Sequence, residues 1–258
     1  MDFATLGGLI LAVGAILISY LMEGGKIGAV LQAPAMILVL LGTIGAGTIT
    51  TSMRTLRNIP TFIRIALFEG ARSPVELINT IVMLAEKARR DGLLPLESEA
   101  KKIKDPFLKK AVELVVDGTD PAVVRSILET EMAFIAQRHK EGATLFQKLG
   151  GFAPTLGIIG TVLGLVHTLG NISDASKMAE SIAGAFIATL WGISSANLFY
   201  LPIGDKLKLR HEEEQLFLEL AMEGVISIQS GENPRVIRTK LLSFLEPKAR
   251  TEPQKKAA

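Results

Sequence analysis

Residues 149–173, LGGFAPTLGIIGTVLGLVHTLGNIS, and residues 181–204, SIAGAFIATLWGISSANLFYLPIG, decide how this chain folds. Each is long enough to cross a bilayer as a helix, which takes about 20 residues. Neither holds an Asp, Glu, Lys or Arg. Each carries Gly, Thr or Ser, and Pro where a plain lipid anchor carries Leu. Membrane helices with hydroxyls in the wall and no carboxylate read as half of an ion path. The titrating or ion-binding group then has to come from another chain.

Two more charge-free runs lie at 3–22 and 27–53. The chain has 258 residues and a mean hydropathy of +0.37, yet 21% of the residues are charged. The apolar residues gather in the four runs instead of dispersing along the chain, so the reading is four transmembrane helices. The competing reading, buried helices of a soluble core, must explain four such runs at once. The first run follows an acidic residue, Asp2, and no small-residue cleavage pattern comes after it, so it reads as a retained helix and not as a signal peptide. Without cysteine the fold uses no disulfide or thiol chemistry. A net charge of +2 does not suggest nucleic acid. No nucleophile–base set, metal cluster or phosphate loop stands in the sequence, so neither an enzyme nor a metal or cofactor site is expected. Trp191, Tyr20 and Tyr200 are the residues suited to anchor the bilayer interfaces.

Basic residues set the topology. Lys26 and Lys177 lie in the short connections after the first and third runs; every other Lys and Arg lies between the second and third runs or after the fourth. The positive-inside rule then puts both termini and the central region in the cytoplasm. The expectation is an all-α polytopic membrane protein with four transmembrane helices and a helical cytoplasmic domain. Its parts are a transmembrane hairpin at 1–52, a cytoplasmic helical domain at 53–148, two ion-path helices at 149–204, and cytoplasmic helices with a disordered tail at 205–258.

The central region is patterned as helix. Over 74–90, Val75, Ile78, Ile81, Val82, Leu84 and Ala85 recur at helical spacing, with Glu76, Glu86, Lys87, Arg89 and Arg90 on other faces. Ser73 suits the N-cap with Pro74 at the first helical position, and Asp91-Gly92 reads as a stop. Further helices are expected at 95–102, 105–116 and 121–142, the last able to run on into the third span. Asn233-Pro234 opens a final helix with Val236, Ile237, Leu241, Leu242 and Leu245 as its apolar stripe.

Gly157, Gly160 and Gly164 recur at near-helical spacing in the third run, and Gly184, Ala188, Gly192 and Ala196 form a ridge in the fourth. Small residues let membrane helices approach closely. Two readings stand: tight packing alone, or the inner wall of a multi-helix assembly. Thr155, Thr161, Thr168, Thr189, Ser194 and Ser195 carry the hydroxyls. A membrane Thr either bonds back to its own helix or faces a cavity where it replaces part of a cation's hydration shell. Pro154 and Pro202 each mark either a helix boundary or a joint. His167 suits a proton relay or an interfacial hydrogen bond.

These residues carry a resemblance. The motifs are APTLGIIGTVLGL at 153–165, LPIGDK at 201–206, ARRDGLL at 88–94 with Leu96-Glu97, Glu223-Gly224-Val225, and Gly231-Glu232-Asn233-Pro234. Together they are similar to the MotA/PomA/MotP stator subunits of flagellar motors, in the wider MotA/TolQ/ExbB group. The resemblance covers residues 1 to about 248. It implies a multi-pass protein of the bacterial inner membrane, embedded in lipid. It also implies a pentamer around a dimer of a MotB-type single-span subunit, whose membrane Asp binds the transported H+ or Na+. Ion passage then puts torque on the rotor protein FliG. Arg89 and Glu97 match the family's rotor-contact pair, with Arg90 adjoining and Glu131 a third match. Pro154 and Pro202 match prolines at the channel base, while Thr155, Thr161 and Thr189 fall in the ion path. Thr161 and Thr189 lean toward sodium. The rival within the group is an ExbB/TolQ-like energiser of outer-membrane transport, a branch with three spans and another layout.

Overall fold

The computed structural model describes residues 3–68, 73–170, 175–247 and 249–251, with the side chains at 3, 175–177, 180 and 251 excepted. Asp2, the Ser173 end of the third run, the side chain of Lys177 and the tail beyond Thr251 lie outside the described residues. Those described are helical, with no strand among them. They divide into two compact units: Met1–Gly70 with Arg138–Arg210, and Ala71–Gln137 with His211–Ala258.

The first unit holds the apolar runs. The run at 3–22 is one helix, Phe3–Met22. The third run is the last part of a single helix, Pro121–Leu169, and Pro154 lies inside it. The fourth run spans helix Ala175–Ser195, a wider π turn at Ala196–Tyr200 and the start of helix Leu201–Gln229. Neither Pro154 nor Pro202 is therefore a helix boundary. Pro202 directly follows the π turn, where the i→i−4 ladder has already been re-routed.

The second run departs from expectation. It is not one helix over 27–53. A short helix, Ile27–Val30, ends in an extended Gln32, and the chain restarts with Pro34 in the first turn. Proline has no N–H and tolerates that position best. The apolar helix that follows, Ala33–Ile49, includes a π turn at Ile37–Leu41. It spans about 25 Å, against about 30 Å of hydrocarbon. Among the described residues three helices are thus long and apolar enough to cross a bilayer, and two apolar helices, Ala33–Ile49 and Ile59–Phe68, are shorter.

After it, Ser52 caps a short helix, Met53–Arg57, by accepting from the Thr55 N–H. Amphipathic helix Ile59–Phe68 then lays Phe62, Ile63 and Ala66 on Ala143, Phe146 and Leu149. Gly142 lets the Phe62 ring pack closely there: a Cβ would stand 2.9 Å from it, and the ring would have to shift.

The second unit is built on caps and one core. Ser73, Asp105 and Asn233 each accept a backbone N–H at the start of a helix that opens with proline. Helix Pro74–Asp91 stops at Gly92, whose φ of 85° suits glycine. The expected helix at 95–102 is Leu96–Ala100, and that at 105–116 is Pro106–Val116. Ile78, Ile81 and Leu84 pack in one core with Phe107, Val112, Leu128, Leu220, Ile237 and Leu241. Of the last helix's stripe, Ile237, Leu241 and Leu245 are buried, whereas Val236 is exposed.

Charge closes this core at one point. The Glu223 carboxylate accepts from Lys240 Nζ at 2.5 Å and from Arg125 Nη2 at 2.9 Å. Lys240 also reaches Ser227 Oγ at 3.1 Å. Three helices, Pro121–Leu169, Leu201–Gln229 and Pro234–Leu242, are tied by one carboxylate. Hydrogen bonding from Lys240 and then Arg125 holds the Glu223 carboxyl below its usual range, and Glu223 raises Lys240. Glu223→Gln is expected to cost about 1–2 kcal/mol and to speed amide hydrogen exchange across Pro234–Leu242. The depressed Glu223 makes its contribution present above the unfolded carboxyl value of about 4.3 and lost as pH falls through the lower folded one. The raised Lys240 makes its own contribution complete below about 10.4 and lost as pH climbs past the folded value. Protection factors, which divide out the intrinsic pH dependence of amide exchange, should be flat between those limits in the parent protein and should fall only outside them.

Candidate functional site

The helix stretch 149–169 and helix Ala175–Ser195 meet backbone to backbone. A Cβ on Gly192 would stand 2.6 Å from the Ala153 carbonyl oxygen and 3.1 Å from Gly157 Cα. One on Gly157 would stand 2.9 Å from the Ala188 oxygen, and one on Gly164 would stand 2.7 Å from Ala185 Cβ. In lipid the hydrophobic effect gives helices no reason to associate, so this close approach supplies the dispersion that holds them. Gly184 differs, since it faces the Gln32 side chain and not the other helix.

That approach brings two of the three candidate threonines together. The Thr161 and Thr189 hydroxyls hydrogen-bond each other. Thr161 Oγ1 also lies 3.0 Å from the Ala185 oxygen and 3.2 Å from the Gly157 oxygen, and Thr189 Oγ1 lies 3.3 Å from that same Gly157 oxygen. Four oxygens thus share two hydroxyl protons. The cluster is rich in lone pairs, the chemistry that substitutes for a cation's water. It has no formal charge, and neutral oxygens alone do not offset the cost of taking a cation out of water.

Thr155 stands apart. It is exposed and donates to its own helix at Phe152 O, 2.7 Å away. Thr168 and Ser195 also bond back, to Gly164 and Gly192. Pro154 is half-buried and Pro202 exposed. His167 lies on an exposed face in the last turn of its helix.

Trp191 does more than anchor an interface. Its indole N–H donates to the Val30 carbonyl at 2.8 Å, at the break in the second run. The signal for this in the sequence is Pro34, which predicts an interrupted helix and therefore carbonyls in search of donors.

The charged candidates lie in the second unit. Arg89 and Arg90 occupy the last turn of helix Pro74–Asp91, and Glu97 the first turn of Leu96–Ala100, across the turn that Gly92 makes. Arg90 forks onto Asp91 at 3.0 and 3.1 Å, which lowers the Asp91 carboxyl. Glu97 accepts from Lys101 at 2.8 Å, which holds its carboxyl low. Glu131 accepts from Lys110 at 2.6 Å. Arg89 is exposed and makes no ion pair among the described residues.

Two family models match the chain: the MotA/TolQ/ExbB proton channel family over residues 99–220, and the motility protein A N-terminal region over residues 6–92. Motility protein A of Borreliella burgdorferi is 38% identical over 252 residues, covering 98% of this chain and 97% of that protein. A chain from the structure of C. jejuni MotAB superposes with a TM-score of 0.94 at 30% identity, over 98% of this chain and 100% of that one. A chain from the flagellar MotAB stator complex of Bacillus subtilis does so with a TM-score of 0.90 at 34% identity, over 96% and 98%.

Gly192→Ala drives a methyl group into a backbone that has no side chain to move. It is expected to cost about 1–3 kcal/mol, read as earlier loss of helicity during unfolding in detergent. Gly151→Ala meets nothing within 4 Å and should be neutral or mildly stabilising.

Proposed function

This chain belongs to the MotA/TolQ/ExbB proton channel family, among its motility protein A members, and from that premise we propose how it works. It is a stator subunit of the bacterial flagellar motor and not an enzyme. With a MotB partner it forms an ion channel that couples flow across the membrane to torque. Five copies surround a dimer of the single-span partner, four apolar segments of each copy cross the inner membrane, and both termini face the cytoplasm. The short Ala33–Ile49 helix counts among the four, because a bilayer thins or flanking residues snorkel to meet a short span.

The observation that carries the mechanism is the Thr161–Thr189 oxygen cluster between two stretches, 149–169 and 181–204, that hold no carboxylate. The oxygens line the path and the partner's Asp supplies the charge. A proton or sodium ion then sits between a fixed carboxylate and movable hydroxyls. Pro154 and Pro202, inside continuous helices, act as joints at the base of the path, and Thr155 lies on the same approach. The membrane potential supplies about 2.3 kcal/mol per charge per 100 mV. Sodium is the favoured ion, since hydroxyl and carbonyl oxygens together suit a dehydrated cation better than a relayed proton.

The region 53–148 meets the rotor protein FliG through Arg89, Arg90, Glu97 and Glu131. Exposed charges of this kind steer encounter and set register more than they add affinity. Arg89, unpaired among the described residues, offers its charge directly; Glu97 and Glu131 must exchange an existing lysine partner.

Flux tests the whole reading. Liposomes holding this chain with its partner should conduct, and liposomes holding this chain alone should not; full conduction by the chain alone overturns it. Thr161→Ala is expected to change the dependence of swimming speed on sodium at fixed pH, and an unchanged titration removes Thr161 from the path. Arg89→Ala combined with Glu97→Ala should impair swimming while leaving the assembled complex intact. Normal motility from that double variant removes the pair from the rotor contact.

A further inference from the structure

A groove of about 880 Å3 opens in the membrane unit. One side is helix Phe3–Met22, at Gly8 and Ala12; the other is amphipathic helix Ile59–Phe68, at Ile63 and Leu67; its floor includes Phe199 and Ile203. The Thr161–Thr189 cluster takes no part in it.

Three of the polar side chains in the wall bond to backbone carbonyls. Ser195 Oγ donates to the Gly192 carbonyl, Asn197 Nδ2 to the Ile193 carbonyl, and Trp191 Nε1 to the Val30 carbonyl. Most of the wall is hydrocarbon, from Leu9, Ala12, Leu40, Ile63, Leu67 and Phe199 among others, which suits an occupant that is mainly apolar.

At its 205–209 end the groove is charged, with Asp205 and Lys206 both in the lining. The described stretches 53–68, 138–148 and 205–210, which flank the groove in the chain, hold nine Lys and Arg against two carboxylates, Glu141 and Asp205. Helix Ile59–Phe68 turns Ile63 and Ala66 inward and Arg64 outward, the pattern of a helix lying in the membrane surface. A second copy of this chain would bring the same excess of positive charge to that end. An anionic headgroup brings the opposite charge, with about 1 kcal/mol of attraction for each nearby Lys or Arg.

We propose that this groove is a binding site for one anionic phospholipid of the inner leaflet. Its acyl chains fill the space between helices Phe3–Met22 and Ile59–Phe68, and its headgroup sits among the basic residues beside Lys206. The site extends beyond the stator reading, since it uses neither the Thr161–Thr189 cluster nor the rotor-facing charges. It rests on that reading only for the orientation that puts residues 205–210 at the inner leaflet.

The test is made on the complex with its single-span partner in nanodiscs of phosphatidylcholine, doped with phosphatidylglycerol that carries a diazirine in one acyl chain. On irradiation, adducts should concentrate on peptides covering 59–68 and 196–209. Unlabelled phosphatidylglycerol should displace the probe where the same amount of phosphatidylcholine does not. Gly8→Phe fills the groove from a position where a Cβ meets nothing within 4 Å, and labelling there should fall to background. Lys206→Gln should remove the preference for phosphatidylglycerol while leaving acyl contact. The competition uses the unaltered complex, so it stands even if Gly8→Phe assembles poorly. Adducts spread evenly over the apolar perimeter, equal competition by the two lipids, or cross-links from these peptides to a second copy of the chain would each overturn the site.

Discussion

Everything in the membrane unit depends on the absence of side chains at a few places along two helices. Gly157, Gly164 and Gly192 stand where any Cβ would meet backbone of the opposing helix. Van der Waals attraction falls away within an ångström of separation, so a helix pair in lipid either touches along its length or gains little. The Thr161–Thr189 contact follows from this. A hydroxyl side chain is short, and two can meet between helices only when the backbones are already close. The chemistry of the site is thus a by-product of packing, and the glycines are as much part of it as the threonines.

The second unit solves a different problem by ordinary means. Proline-led, side-chain-capped helices stop and start at defined residues, and a single apolar core runs beneath them. Its charges fall into two kinds. Glu223 is largely shielded and binds two cations from other helices, so it fixes the arrangement. Arg89, Arg90 and Glu97 are exposed and near a glycine turn, so their positions cost the fold little.

Much of this was legible in the sequence because the signals were local. Ser73-Pro74, Asp91-Gly92 and Asn233-Pro234 each encode a cap or stop within a few residues, and each stands where expected. The helix class and the small-residue ridge were readable for the same reason, since periodicity is a property of one segment. The second run was misread as continuous because a count of charges is blind to Pro34. The split of the threonines could not be read at all. Thr155 and Thr161 are alike in composition and surroundings; only the distance to another helix makes one bond to Phe152 and the other to Thr189. The roles of Trp191 and Gln32 stayed hidden because their partners lie far off in the chain.

The mutual bonding of Thr161 and Thr189 has a consequence for the living cell. A subunit made in excess, before any companion reaches it, carries its hydroxyls closed on one another and on neighbouring carbonyls, in a wall that lacks an acid. On the proposed reading, such an orphan does not short-circuit the energised envelope. Supply of this chain would then run ahead of assembly without harm, with the gradient tapped only where a complete machine has been put together.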